Sequence, residues 1–580
     1  MRQLDCDVLV IGSGAAGLAA AVTAAEHGLD VLVAEKAAYL GGTSAWSGGW
    51  LWIPRNPLAR AEGIVEADDA PERYLMAQTG ADRLDERQRA FLVHGPEMVE
   101  FFHTRTAVAF YSGSSMPDMH DGDGAAAGGR SLCAQPFDGR QLGDWLPRLR
   151  PPLDILSLYG MGIAGGADLG AFFNVRRSPR AMLHVTTRLL RHLRDRLWHG
   201  RGLHLVNGNA LVARLLRSAL DRQVGLLTDS PALRLLHDQG RVSGALLQQR
   251  DGELQVNARR GVVLACGGFP HDRQRIARLI AHAPGGTEHY SAAVPENSGD
   301  GLRLGESVGA RVAVDLAQPA AWAPTSRVPR RDGSVGHFPH LIDRAKPGFI
   351  AVRRDGRRFT NEADCYHDFM NALIAATPAG EPVEAWLIAD ARARWRYGIG
   401  WAKPLPFSDR HYLRCGYLQR AADARQLAAR CGIDASALQA TLERFNRFAA
   451  RGEDPDFQRG RSAYNQAQGE PLQRPNPSLR ALHGDLYAVK LVAGSLGTFA
   501  GLRTDAEARV LDAREQPIAG LFAVGNDMNS VMAGHYPSGG ITLGPGMTFG
   551  YLAGLALAGA DRKPPTATGN ARDRQEDHAM

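Results

Sequence analysis

Several familiar signals are missing from this chain. Its six cysteines, Cys6, Cys133, Cys266, Cys365, Cys415 and Cys431, form no CxxC pair. That leaves no zinc or iron–sulfur motif and no expected metal site, and it reads as reduced thiols in a cytosolic protein. No uncharged apolar run reaches about 18 residues, the length that crosses a bilayer. The sequence passes from Met1 directly into a strand pattern, so no signal peptide is expected. Charge of either sign is scarcely in excess: the net value is +6 and the pI about 9.0. Such a balance allows an anionic cofactor or membrane surface but gives no reason to expect nucleic acid. There is no internal repeat.

Glycine is abundant, at 66 of 580 residues. A hydrophobic share of 44% with 22% charged residues is that of a globular protein, and the length calls for two domains, or three with insertions. At the N-terminus Asp7–Ile11 is an apolar run without alternation, as in a strand buried on both faces of a parallel sheet. Gly12-Ser13-Gly14-Ala15-Ala16-Gly17 follows, then an Ala-rich helix to about His27, and a second strand from Asp30 that ends at Glu35. This is a dinucleotide-binding βαβ fingerprint. Gly12 makes the tight turn, Gly14 admits a pyrophosphate, Gly17 lets helix meet strand, and Glu35 takes the ribose hydroxyls. A second loop, Gly41-Gly42-Thr43-Ser44-Ala45-Trp46-Ser47-Gly48-Gly49, has the composition of one lying along a flavin and a diphosphate. Two later buried strands end in Ala265-Cys266-Gly267-Gly268 and Gly525-Asn526-Asp527. One nucleotide domain is therefore expected from both ends of the chain, with another domain inserted.

Near the C-terminus lies Tyr536-Pro537-Ser538-Gly539-Gly540, leading through Ile541 and Leu543 into a predicted helix, Met547 to Leu557. A phenol and a glycine amide aimed at one point form a carbonyl-polarising pair.

Together these stretches resemble the flavoprotein superfamily of fumarate reductase, and within it the 3-ketosteroid Δ1-dehydrogenases. The resemblance covers roughly residues 5 to 560. It rests on Gly41–Gly48, Asn361-Glu362-Ala363-Asp364-Cys365-Tyr366, Ser495-Leu496-Gly497-Thr498 with Gly501–Asp505, and Tyr536–Gly540. It implies an α/β fold: a Rossmann-like FAD domain from residues 1–322 and 496–562, with an α+β substrate domain inserted at 323–495. Oxidation of a carbon–carbon bond beside a ring ketone is implied. Tyr536 and the Gly540 amide would hold the ketone oxygen, Tyr366 would take the alpha proton, and a hydride would pass to flavin N5. Besides the residues already named, Lys36, Asn209, Ala210, Ala232 and Asp300 are implied cofactor contacts. No histidine stands in the Gly42–Gly48 loop, so FAD should be noncovalent. A tyrosine base would need its pKa lowered by a neighbour.

The family places an assisting tyrosine ahead of a Gly-Arg-Ser segment. Here Met119 and His120 occupy that place before Gly129-Arg130-Ser131. His120 could lower the pKa of Tyr366; Met119 could only line the substrate pocket. A smaller ring ketone is thus an alternative to a steroid. A fumarate-type reductase is another, although neither Ser495–Thr498 nor Tyr536-Pro537 supplies its His and Arg clamp. A flavin-binding redox partner without turnover is a third. Arg357-Arg358 and Asn361-Glu362 also have the look of a surface hairpin. With one dinucleotide fingerprint, the electron acceptor is expected to be a quinone or a redox protein. Residues 147–200 read as an insertion whose basic segment, 176–198, places Leu183, Leu190, Leu193 and Leu197 on one helix face. That face suits packing on its own domain or a peripheral contact with the inner face of the cell membrane. The tail 563–580 reads as disordered.

Overall fold

The computed structural model describes residues 2–560, so the expected disordered tail lies outside it. The apolar run near the N-terminus belongs to a longer strand, Arg2–Ile11, in which Val8–Val10 are fully buried. It pairs in parallel with Val31–Ala34 on one side and Gly252–Leu264 on the other. The eight-stranded sheet runs, in spatial order, Arg509–Leu511, Pro517–Ala523, Arg241–Gln249, Gly252–Leu264, Arg2–Ile11, Val31–Ala34, Gly225–Leu227, with Ala232–Asp238 beside Arg241–Gln249. Leu521–Ala523 pair in parallel with Val262–Leu264, so both chain ends build one α/β, Rossmann-like fold.

Small residues explain how the ends lock together. Helix Ala15–Glu26 packs on the C-terminal helix Leu543–Ala558, which begins earlier than the sequence pattern suggested. A Cβ at Gly550 would lie 2.4 Å from the Ala16 carbonyl oxygen, and one at Gly554 would lie 2.6 Å from Thr23 Cβ. Only glycine lets the backbones approach so closely.

A second, antiparallel sheet runs Val335–Pro339, Ala320–Pro329, Leu486–Thr498, Glu384–Asp390, Phe349–Val352, with Gln419–Ala421 also on Leu486–Thr498. Apolar clusters cover it, one including Phe349, Phe369 and Leu387, another including Ile350, Leu427 and Phe445. Helix Tyr366–Ala376 packs against Ala320–Pro329.

Within 147–200 two helices form, Ala167–Phe173 and Pro179–His199. Ser178 caps the second by accepting from the Ala181 amide, and Gly200 ends it at φ 72°. Its inward face is Ala181, Val185, His192 and Asp195. The leucine face is turned out: Leu183, Leu190, Leu193 and Leu197 are all exposed, and Trp198 is 80% exposed.

Candidate active site

The two sheets border one cavity of about 880 Å³. On the parallel-sheet side its wall is backbone. Gly12 has φ 112°, and a Cβ there would lie 2.2 Å from the Ala265 carbonyl oxygen; Gly14 faces open space but for Ser44 Oγ at 3.5 Å. Ser44 Oγ accepts from the Ala15 amide, at 3.0 Å. Glu35 Oε2 accepts from the Ser13 amide and hydroxyl, at 3.1 and 2.6 Å, and Oε1 from the Ala37 amide. These contacts fix the carboxylate at the end of the second strand, where a ribose would meet it. Lys36 Nζ donates to Asp300 Oδ2 at 2.5 Å, and both line the cavity. Asp527 is buried behind this wall, accepting from the Cys266 and Gly268 amides. Burial pushes its carboxyl up to about 6.

Of the residues expected to touch the cofactor, Gly12, Gly14, Ala15, Ala16, Glu35, Lys36, Gly42, Thr43, Ser44, Ser47, Gly48, Gly49, Ala232, Ala265, Gly267, Asp300, Gly525, Asn526, Gly540 and Leu543 line the cavity. Gly17, Gly41, Asn209, Ala210, Gly268 and Ile541 stand outside that lining. Gly17 serves packing, since a Cβ there would lie 2.2 Å from the Gly12 carbonyl oxygen. Asn209 Nδ2 is spent on the Arg150 carbonyl. A glycine-edged cradle with a fixed carboxylate and short helix-start amides fits a dinucleotide.

The other wall is side chains. Tyr366 begins the helix Tyr366–Ala376, and its ring meets that of Tyr536 edge-on, with centroids 4.9 Å apart and planes at 70°. Both are 6% exposed, and both line the cavity. Burial, and then Tyr536, hold the Tyr366 phenol well above its ordinary pKa. The expected lowering is therefore not what the surroundings impose. Burial likewise raises Tyr536. Beside them the Gly540 amide donates to no protein acceptor among the described residues, while the Gly540 carbonyl accepts from Trp52 N at 3.1 Å. Gly540 has φ 106°, and a Cβ would lie 2.6 Å from Trp52 N, so no other residue fits.

The turn carrying Tyr536 and Gly540 is clamped from several directions. The Pro537 carbonyl accepts from the Tyr74 hydroxyl at 2.6 Å and the Met119 amide at 3.1 Å, and the Gly539 carbonyl accepts from Ser131 Oγ. Met119 is buried, and its Cε would lie 3.6 Å from a Cβ at Gly539. It forms the wall where the family pattern has a tyrosine. His120 turns elsewhere: its Nε2 lies 2.5 Å from Asp368 Oδ2, and its buried Nδ1 has no partner. Burial works against its charge, yet Asp368 carries its pKa above the ordinary histidine value.

Arg358 and Glu362 are buried, not a surface hairpin. Arg358 binds both Glu362 oxygens at 2.7 Å and also Asp454, and Arg459 adds a third contact to Glu362. Burial would raise the Glu362 carboxyl, but Arg358 holds it below the ordinary range. Asn361 Nδ2 donates to Asn465 Oδ1, and Asn465 Nδ2 to Asp364 Oδ1, at 2.8 and 2.9 Å. That brace joins the Tyr366 segment to the short helix Ala463–Gln468.

Three contributors were not read from the sequence. Tyr464, on that short helix, is 2% exposed and lines the cavity. His367 accepts from the Trp322 amide and lies 5.9 Å, centroid to centroid, from Tyr536; burial lowers it to about 4, so it is neutral. Leu153, Leu169 and Phe173 of the 147–200 segment also line the cavity, which makes it part of the wall. His367 adjoins Tyr366 in sequence, but no spacing rule ties Tyr464 or the 153–173 residues to the tyrosines; only the tertiary fold does.

The model of the FAD binding domain family matches residues 7–543. A 4-oxocyclohex-2-ene-1-carboxylate 5-dehydrogenase from Sinomonas cyclohexanicum is 38% identical over 96% of this chain and 94% of its own length. A 3-oxosteroid 1-dehydrogenase from Mycolicibacterium smegmatis is 37% identical over 97% and 99%. The crystal structure of 3-ketosteroid delta1-dehydrogenase from Sterolibacterium denitrificans, in complex with 1,4-androstadiene-3,17-dione, superposes with a TM-score of 0.88 at 34% identity, over 96% of this chain and 100% of that one. This chain belongs to the FAD binding domain family, and is an FAD-dependent oxidoreductase acting on CH–CH bonds, of the 3-oxosteroid 1-dehydrogenase-like group.

Proposed function

We propose that this enzyme desaturates a ring ketone, taking a proton from the alpha carbon and a hydride from the beta carbon. FAD, noncovalently held by the glycine-edged wall, supplies the hydride acceptor. The Tyr536 hydroxyl and the Gly540 amide donate to the ketone oxygen and stabilise the charge that grows there as the alpha proton leaves. Tyr366 takes that proton at its phenolic oxygen. The carrying observation is the 4.9 Å contact of the two tyrosine rings beside an amide with no protein acceptor.

Anaerobic mixing with substrate should bleach the flavin band at about 450 nm. Tyr366→Phe should keep FAD but slow bleaching by about 10² to 10⁴-fold; bleaching at the normal rate removes Tyr366 as base. If none of 4-androstene-3,17-dione, cyclohexanone and 4-oxocyclohexanecarboxylate bleaches the wild type, the desaturase reading fails.

For substrate, 1,2-desaturation of a 3-ketosteroid is the first reading, supported by the apolar wall of Leu153, Leu169, Phe173 and Leu341 and by the names of the relatives. A smaller ring ketone is the second, favoured by Met119 in place of a tyrosine and by the cyclohexene-acting relative. The electron acceptor is a quinone or a redox protein. The outward leucines of Pro179–His199, flanked by exposed Arg176, Arg177, Arg180, Arg194 and Arg196, are read as a peripheral contact with an anionic bilayer, on the inner face of the cell membrane. No helix among the described residues is long and apolar enough to cross one.

A further inference from the structure

The mechanism leaves one buried cation unused. Lys346 is 8% exposed and lines the same cavity as Tyr366 and Tyr536. Its Nζ donates to the carbonyls of Gln468, at 2.5 Å, and Gly469, at 2.8 Å. An ammonium has three N–H donors, so one remains. Nζ also lies over the Phe173 ring, 5.8 Å from its centroid, within cation–π reach. Among the described residues no carboxylate comes within ion-pair reach of Nζ. The nearby Glu470 is taken up by Arg396, at 2.7 Å, and by the Tyr397 hydroxyl. Burial drives this ammonium down to about 8, outweighing the support that Glu470 and Asp343 give its charge without touching it. A ligand carboxylate would supply what the protein withholds.

Its place in the cavity is defined by the short helix Ala463–Gln468. Tyr464 belongs to the buried cluster of Tyr366 and Tyr536, and Gln468 holds Lys346. Gln468 follows Tyr464 by four residues, about one helical turn, on that helix, and Lys346, Tyr366 and Tyr536 line one cavity. Resting on the ring-ketone reading, we infer that Lys346 is a carboxylate-binding site, and that the substrate is a ring ketone bearing a carboxylate on the side away from the carbonyl. The free N–H forms a charge-assisted hydrogen bond to that carboxylate.

A plain structural role, capping the C-terminal carbonyls of the helix, would leave acid and ester indistinguishable. The test therefore compares 4-oxocyclohexanecarboxylate with its methyl ester, using FAD-loaded wild type and Lys346→Met. The ratio of KM for the acid to KM for the ester should rise by about tenfold or more in the variant, and Lys346→Arg should restore part of it. An unchanged ratio overturns the proposal. Cyclohexanecarboxylate, which has no ketone to oxidise, supplies a second readout. It should raise the Tm of the wild-type holoprotein and leave that of Lys346→Met unmoved; equal shifts in both count against the site. If no ketone bleaches the flavin but this difference persists, the desaturase reading falls and the carboxylate site stands.

Discussion

Where the parallel sheet meets the cavity, the wall is largely peptide: Gly12, Gly14, Gly48 and Gly267, with Glu35 and Asp300 as fixed acids. Where the antiparallel sheet meets it, the wall is side chain: Tyr366, Tyr464 and Lys346. A peptide wall depends on backbone conformation, so it needs contiguous glycines and is tuned by local geometry. A side-chain wall depends on tertiary bracing, and here the brace is ionic: Arg358, Arg459, Glu362 and Asp454 are buried together. The first wall suits a large ligand whose shape never changes. The second can be altered residue by residue to suit another substrate.

The largest blow to this contrast is aimed at the ionic brace. Glu362→Gln takes from Arg459 and Arg358 the carboxylate they share, and breaking such a buried set costs about 3–5 kcal/mol. Denaturant unfolding should record that loss, and flavin bleaching should weaken although no cavity residue has changed. Tyr536→Phe, on the wall itself, should leave stability and FAD content intact while slowing bleaching by about 10² to 10³-fold, the effect of losing one oxyanion donor. A full rate in that variant would shift the donor role to Gly540 alone. The pH profile is a gentler probe. Burial raises the Tyr366 phenol, and the base must be ionised, so the bleaching rate should climb as pH rises, by up to about tenfold per unit, without levelling near neutrality. A plateau below pH 8 would mean that another group is the base. The smallest effect concerns neither wall. Leu190→Glu with Leu193→Glu, on the outward helix face, should abolish sedimentation with anionic liposomes at low salt and leave turnover of a water-soluble ketone as it was. Wild-type protein that stays in the supernatant would remove the membrane contact.

The glycine wall was readable because its physics is local. A buried strand, a positive-φ glycine and an acid some twenty residues on are all constraints within one βαβ unit. The Tyr536–Gly540 turn was readable for the same reason. Tyr366 could be paired with Tyr536 only through the resemblance, since 170 residues separate the two. Its expected activation by a lowered pKa did not survive burial. Tyr464 and Lys346 left no trace, because each acquires its part only when helix Ala463–Gln468 and the second sheet close round the cavity; His367, next to Tyr366, gains its part only through the Trp322 amide. The leucine face of Pro179–His199 was visible as periodicity; which way it pointed was not.

The clamp on the Pro537 carbonyl, made by the Tyr74 hydroxyl and the Met119 amide, has a consequence for traffic. A turn tied at its apex, with Gly539 and Gly540 also tied to Ser131 and Trp52, has no freedom to swing aside for an incoming molecule. The other side of the cavity is lined by Leu153, Leu156 and Leu169, of which Leu156 is exposed. The tied turn and the side with surface exposure are thus separate pieces of chain, and evolution can change one without disturbing the other.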